Sequence, residues 1–372
     1  MVDKTCYLQG IKLPISEYIN QSKQWKNSLL GGQFYAVDVL EMNVDLTVPT
    51  LRVPMARLDD DDSICDVWLG GGNSQPKFGQ YNAVNYRYDD DLLFGVIELS
   101  EALFVTSTGK TPLQQATESA YNQIFSLLDL LSFPYLLRIR NYMADINSDS
   151  FGLERYAQFN LGRQDAFLTH GRDVEGNAPA ACALGFESIR AEGHLHQSSL
   201  TIAFLAARVM PQNIENPRQI SAYQYPQQYG PRSPTFSRAS LVRLGLDDIL
   251  FLSGTASIVG HETLHLGDVI AQTRETIDNI KAVLAQANRQ LNETKFELSS
   301  LYYTVYVRHL DDLEAIRNEL KRYVGDALKA VYLQADVCRQ DLLVEIEATA
   351  GHSMAMSLDG IDSNTLAHGQ LN

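Results

Sequence analysis

Asp248-Ile249-Leu250-Phe251-Leu252-Ser253-Gly254-Thr255-Ala256-Ser257 is a compact apolar run that ends in small and hydroxylated residues, and it reads as a strand. A polar loop follows it, and then a helix from about Asp268 to Asn288. Ile277, Ile280, Val283 and Leu284 fall at helical spacing there, and Asp268 suits the electropositive N-terminal end. A strand over Leu301 to Val307 comes next, then a second helix from about Leu310 to Val324. The unit closes with a strand from Asp341 to Ala350.

The same order occurs upstream. Leu92 to Leu99 reads as a strand, Pro112 to Leu131 as a helix, Tyr135 to Met143 as a strand and Phe151 to Phe167 as a second helix. A shift of 156 residues places Thr117 on Thr273, Tyr121 on Ile277, Ile124 on Ile280, Leu127 on Val283 and Leu128 on Leu284. Two matching helix phases arise easily by chance, but a matching order of elements does not. The reading is a duplicated α+β unit. Between the copies, Met210 to Arg238 differs in texture. Pro217, Pro226, Pro231 and Pro234 exclude a long helix, and Tyr223, Tyr225 and Tyr229 are interleaved with them. The division predicted is 1–180 for an N-terminal α+β part, 181–235 for connecting strands and a Pro/Tyr/Arg loop, 236–352 for the C-terminal unit, and 353–372 for a frayed tail.

With 45% hydrophobic and 20% charged residues, the 372-residue chain has the balance of a soluble globular protein. A formal charge of −15 argues against nucleic acid or an anionic membrane as partner. Residues 1–20 show no basic segment leading into an apolar core, and no window approaches the ~18 apolar residues of a membrane span. Cys6, Cys65, Cys182 and Cys338 show no CxxC spacing, which predicts a reduced, cytoplasmic protein. Asp59 to Asp62 reads as a solvated turn and Gly70-Gly71-Gly72 as a flexible one. No glycine-rich phosphate loop opens a helix, so nucleotide cofactors are not indicated.

Three constellations could carry chemistry. His261-Glu262-Thr263-Leu264-His265 spells HExxH, which binds zinc when both histidines share a helical face. Gly260 and Gly267 bracket it here, so it reads as a loop and no metal site is assigned. In Cys338 to Ala348, strand alternation puts Leu343, Glu345 and Glu347 on one face and Val344, Ile346 and Ala348 on the other. Either both glutamates are solvated on a sheet edge, or one of them lines a cleft between the repeats, where a desolvated carboxyl donates a proton near neutral pH. The third set combines Arg155, Tyr156 and Arg163 on a predicted helix with Arg218 and Arg238 in the proline-rich loop. Arginine binds carboxylates bidentately and tyrosine adds a neutral donor, a combination suited to a dicarboxylate.

Two family resemblances run through these residues. The C-terminal copy resembles RidA/YjgF-type subunits in Ser253-Gly254-Thr255-Ala256, the helix from Ala271 to Leu284, Val305-Tyr306-Val307 and Val344-Glu345-Ile346-Glu347-Ala348. That family forms trimers with active sites between subunits, and its essential glutamate falls on Glu345. Its carboxylate-binding arginine is replaced by Ala330, which disfavours imine deamination.

The closer resemblance, over most of the chain, is to the chorismatases in their FkbO-like, hydroxybenzoate-forming branch. It is carried by Glu215-Asn216-Pro217-Arg218-Gln219, Tyr223-Gln224-Tyr225-Pro226, Tyr229-Gly230-Pro231 and Phe236-Ser237-Arg238-Ala239, with Glu154-Arg155-Tyr156, Arg163, Ser253 to Ser257 and Cys338 to Glu345. The resemblance implies cofactor-free removal of pyruvate from chorismate. Glu345 would protonate the enolpyruvyl methylene, and Cys338 would carry a proton. Gly254 would leave the substrate room to turn. Arg155, Tyr156, Arg163, Arg218, Tyr223, Tyr229 and Arg238 would bind the dianion. The product expected is 3-hydroxybenzoate, with 4-hydroxybenzoate or the hydrolytic dihydroxycyclohexadiene carboxylate as alternatives. Duplicated RidA/YjgF-like units suggest one chain imitating a trimer and working as a monomer.

Overall fold

The computed structural model describes residues 8–38, 48–70, 75–105, 109–172, 178–187 and 199–355. The chain opens with strand β1 (Leu8–Pro14), two short helices α1 (Ile15–Ile19) and α2 (Lys23–Ser28), and strands β2 (Leu29–Tyr35), β3 (Thr50–Val53) and β4 (Ile64–Gly70). β4 returns between β1 and β2, antiparallel to both, while β3 runs parallel to β2 on the far side.

The next unit comprises β5 (Lys77–Tyr81), β6 (Val84–Tyr88), β7 (Leu92–Ser100), helix α3 (Pro112–Leu131) and β8 (Tyr135–Ala144). It continues through a small hairpin, β9 (Asp149–Ser150) and β10 (Leu153–Glu154), to helix α4 (Arg155–Thr169) and strands β11 (Ala180–Phe186) and β12 (Ser199–Ala207). Helix α3 begins where Thr111 accepts a hydrogen bond from the Gln114 amide and Pro112 fills the first turn, and it stops at Ser132 with φ 58°. β12 returns between β7 and β8, and β11 runs parallel to β8.

The third unit follows β13 (Gln212–Ile214), β14 (Ala239–Leu244) and β15 (Asp247–Thr255), then a two-strand hairpin, β16 (Ile258–Val259) and β17 (Glu262–Thr263). Helix α5 (Val269–Leu291), strand β18 (Tyr302–Val307), helix α6 (Leu313–Val324), β19 (Lys329–Gln334), β20 (Asp336–Val337), β21 (Val344–Ala350) and β22 (Ser353–Ala355) complete the chain. β21 returns between β15 and β18, and β19 lies parallel to β18.

Strand orders β1-β4-β2-β3, β7-β12-β8-β11 and β15-β21-β18-β19 are therefore one topology used three times. The α+β fold is RidA/YjgF-like, and the unit repeats once more than the sequence pattern indicated. Among the described residues the helices of the N-terminal copy have only five and six residues, too short for a helical periodicity to register in sequence. β11 and β12 lie beyond the boundary drawn at residue 180, yet they complete the sheet of the middle unit. The closing strand starts at Val344, and residues 338–343 form the turn before it. Of the tail expected from 353, residues 356–372 lie outside the described residues, and Ser353–Ala355 pairs with β1.

Each sheet buries one face against its own helices and the other in a shared centre. Along β15, Leu250 and Leu252 pack towards α5, while Ile249 and Phe251 join the central cluster. β12 divides the same way, with Ile202 and Phe204 outward and Ala203 and Leu205 central. Each such large side chain contributes about 1.5–3 kcal/mol on full burial. Tyr35, Tyr142 and Tyr306 hold the same place in the three copies. Their parallel neighbours are Val53, Leu184 and Leu333, and their antiparallel partners on the returning strand are Ile64, Thr201 and Glu345. Among the described residues, no helix is long and apolar enough to cross a membrane.

Candidate active site

The alternation of β21 sends Val344, Ile346 and Ala348 towards the helices and turns Glu345 and Glu347 inward. Solvation of this pair, one of the two readings open from sequence, does not occur: Glu345 is 4% exposed and Glu347 0%. Glu347 lies 2.8 Å from Arg138 Nη2 and 3.0 Å from Arg140 Nε, and it accepts a hydrogen bond from the Tyr306 hydroxyl at 2.9 Å. Burial alone would push this carboxyl up, but the two guanidiniums and the tyrosine reverse that and hold it at about 2. Glu345 has no hydrogen-bond partner among the described residues. Burial first, and then the charge on Glu347, push it up to about 8 against the opposing pull of Arg308. One strand face thus carries a fixed anion and, two residues away, a carboxylic acid still protonated at neutral pH. At the positions equivalent to Glu345 the other copies have Thr201 and Ile64, so only one of the three related sites has an acid.

The β15–β21 register shifts between Leu252 and Thr255, and this bulge brings Gly254 against Glu345. A Cβ at Gly254 would collide with the Glu345 carboxyl, and the Cys182 side chain of β11 stands just beyond, at 3.2 Å. The room that the sequence reading left for a turning substrate is therefore occupied by the acid itself. Cys338 sits in the turn before β21. Arg308 pins that turn, donating to the carbonyls of Leu342 at 2.7 Å, Val337 at 3.0 Å and Arg339 at 2.9 Å. Burial, reinforced by the nearby Glu345, pushes the Cys338 thiol up to about 12, so it stays neutral.

The arginines separate into two groups. Arg155 donates bidentately to Glu101 and through Nε to the Ala144 carbonyl at 2.8 Å, three of its five N–H groups. Arg218 is bound to Asn279 and Glu275 on α5. Both therefore carry a carboxylate partner within the fold, a bond that brings loop or helix start onto a neighbouring element. Arg163 and Arg238 are different, each with a buried Nε that has no partner. Arg163 lies 4.9 Å over the Phe159 ring and donates to Asn160, and Tyr156 on the same helix stacks on Phe159. Arg238 donates to the Ile220 carbonyl and the Tyr225 hydroxyl, both at 2.9 Å.

Arg339, passed over in the sequence, joins them. It lies 4.0 Å over the Tyr229 ring and 5.4 Å over Tyr225, with a buried Nη2 lacking a partner. Its position directly after Cys338 was the one available signal. Gly230, next to Tyr229, approaches Ala157 of α4, and Tyr156 of that helix lies near Cys338 and Glu345. Tyr223 is half-buried on the turn Ala222–Gln224. Unsatisfied buried N–H groups suit an anion, and Arg238 and Arg339 both lie over the Tyr225 ring.

The HExxH segment forms the β16–β17 hairpin, with Gly260 at φ 59° in its two-residue turn. Its histidines diverge: His261 Nδ1 meets the Tyr229 hydroxyl at 3.1 Å, and His265 Nε2 lies 3.4 Å from Glu275. The hairpin braces the loop, since Arg339 also donates to the His261 carbonyl at 2.9 Å.

This chain is 36% identical over 295 residues to a chorismatase of Streptomyces rapamycinicus, covering 77% of this chain and 82% of that one. The chain belongs to the chorismatase family. A second chorismatase relative, a 3-hydroxybenzoate synthase of Streptomyces hygroscopicus, is 33% identical over 86% of this chain and 91% of its own. Residues 66–206 match the family described as Chorismatase FkbO/Hyg5-like, N-terminal, and residues 234–352 match Endoribonuclease L-PSP. A chorismatase crystal structure superposes with TM-score 0.78 at 29% identity, covering 94% of this chain and 99% of that one. The two matched segments contain the middle and C-terminal copies, and the acid and its surroundings lie where those copies meet.

Proposed function

We propose that this chain removes pyruvate from chorismate and forms 3-hydroxybenzoate, with Glu345 as the proton donor and the arginines Arg163, Arg238 and Arg339 as the carboxylate-binding group. The observation that carries the reading is a buried carboxyl pushed up to about 8 beside a neutral thiol, with Tyr156 near both and near Arg163, whose buried Nε has no partner among the described residues. The vinyl ether of chorismate is inert until its methylene carbon takes a proton. Glu345 supplies that proton, the C=C electron pair forms the new C–H bond, and an oxocarbenium ion results. The substrate's own hydroxyl then attacks the ring carbon bearing the ether. The ring C–O bond breaks and pyruvate leaves. The hydroxyl proton passes to the Glu345 carboxylate and returns to the epoxide oxygen as the ring opens; the ring proton is then lost to Glu345, with the Cys338 thiol as carrier. All atoms of chorismate are then divided between pyruvate and hydroxybenzoate, and no water is consumed. Tyr156, whose hydroxyl is pushed up by burial, serves as a neutral donor beside the carboxylates.

Purified protein given chorismate without added metal is expected to release pyruvate and 3-hydroxybenzoate, read by chromatography. Glu345→Gln is expected to lower kcat at least about a hundredfold. Full turnover in that variant would remove the assigned acid. A dihydroxycyclohexadiene carboxylate as sole product would replace the intramolecular branch by hydrolysis. Activity requires the protonated carboxyl, so kcat/KM is expected to fall as pH rises through about 8. A monomer in the cytoplasm fits the same reading, because the interface that forms the site lies within one chain.

A further inference from the structure

Glu347 is two residues from Glu345 on the same face of β21, and its surroundings tie the acid to the centre of the molecule. Tyr306 lies directly opposite Glu345 across the β18–β21 pair, and its hydroxyl bonds Glu347, so one side chain touches both neighbourhoods. Arg140 bridges Glu347 to Asp66 of the N-terminal copy, at 3.0 Å to each, and donates to Gln33. Asp66 also holds Lys12, at 3.2 Å. By position in the repeat Asp66 is the equivalent of Glu347, so Arg140 of the middle copy links the matching carboxylates of the other two.

We propose that Glu347 is a positioning residue of the reaction, a fixed anion behind Glu345 whose field keeps the proton on the acid, anchored by Arg138, Arg140 and the N-terminal copy. This rests on Glu345 being the acid. Two strand residues span about 7 Å, a distance at which a buried charge moves a neighbouring titration by about one to two pH units. The other groups around Glu345 are Tyr306 from β18 and Arg308 just past it, Cys338 from the turn with Arg339 beside it, Tyr156 from α4 with Arg163 beside it, and Cys182 from β11. Of the cations, Arg308 is directed to Asp336, Asn147 and backbone carbonyls. Glu347 is thus the anion that sets the sign of the local field.

The test compares Glu347→Gln, Glu347→Asp and Arg138→Met/Glu347→Gln. The double variant removes one charge of each sign and leaves Arg140 on Asp66, which guards against misfolding. Two midpoints are read: the alkaline limb of kcat/KM, and the pH at which the protonated-carboxyl stretch absent from Glu345→Gln disappears in infrared difference spectra. Both are expected to fall by at least about one pH unit in Glu347→Gln, by less in the double variant, which also loses a cation, and to stay near the wild-type value in Glu347→Asp. Unshifted midpoints in a folded Gln variant would overturn the proposal and leave the network a structural brace. Turnover surviving in Glu345→Gln would instead refute the acid assignment, and the infrared midpoint reports on the coupling whichever way that comparison falls.

Discussion

Gly254 is where a single hydrogen atom in place of a side chain positions the acid. A methyl group there would meet the Glu345 carboxyl and cannot move aside, because Cys182 closes the far side. Gly254→Ala is therefore expected to displace the carboxyl, lowering kcat at least about tenfold at a stability cost of about 1–3 kcal/mol, the range for overpacking. Steady-state kinetics and thermal melting of one preparation check both parts, and unchanged kcat would show that the carboxyl has another place to go. Sequence alternation put Glu345 and Glu347 on one face, and that held. It could not set their opposite protonation, which depends on Arg138 and Arg140 arriving from a strand more than 200 residues away.

At the scale of elements, helix α4 carries two arginines eight residues apart with opposite employment. Arg155 closes the helix start onto Glu101 and the end of β8, whereas Arg163 lies over the Phe159 ring with a buried Nε that has no partner among the described residues. Arg155→Met leaves Glu101 buried and unpaired, and is expected to destabilise by about 3–5 kcal/mol with KM little changed. Arg163→Met is expected to do the reverse, raising KM at least about tenfold with a smaller loss of stability. Melting temperatures and KM of the two variants decide between these roles, and a KM effect confined to Arg155→Met would exchange them. The helices α3 and α5 were legible because long amphipathic runs repeat their phase over five turns or more. The short β16–β17 hairpin was legible only as a loop, since glycines mark a turn without saying what it supports.

Over the whole molecule, three like sheets share one core, and no unit closes it alone. Val242, Ile249, Phe251, Tyr306, Val331 and Leu333 of the C-terminal copy face that centre. A fragment of residues 210–355 is expected to leave this apolar face uncovered and to self-associate rather than remain monomeric, as light scattering after size exclusion would show. A soluble monomeric fragment with native circular dichroism would mean that the copies are independent. The full chain buries the same face within itself, which is how one polypeptide can carry a site built between units.

By itself the sequence determined the middle and C-terminal repeats, the alternation of β21, the candidate acid and the proline-pinned tyrosine and arginine loop. These rest on local periodicity and on residue types that survive reading in one dimension. Only the tertiary structure decided that a third copy exists, that Arg155 and Arg218 find carboxylate partners within the fold, that Arg339 lies over Tyr225 and Tyr229, and that burial and Glu347 push Glu345 up while Arg138 and Arg140 hold Glu347 down. Those outcomes come from which distant partners a buried charge finds, and a side chain cannot announce its partner along the chain.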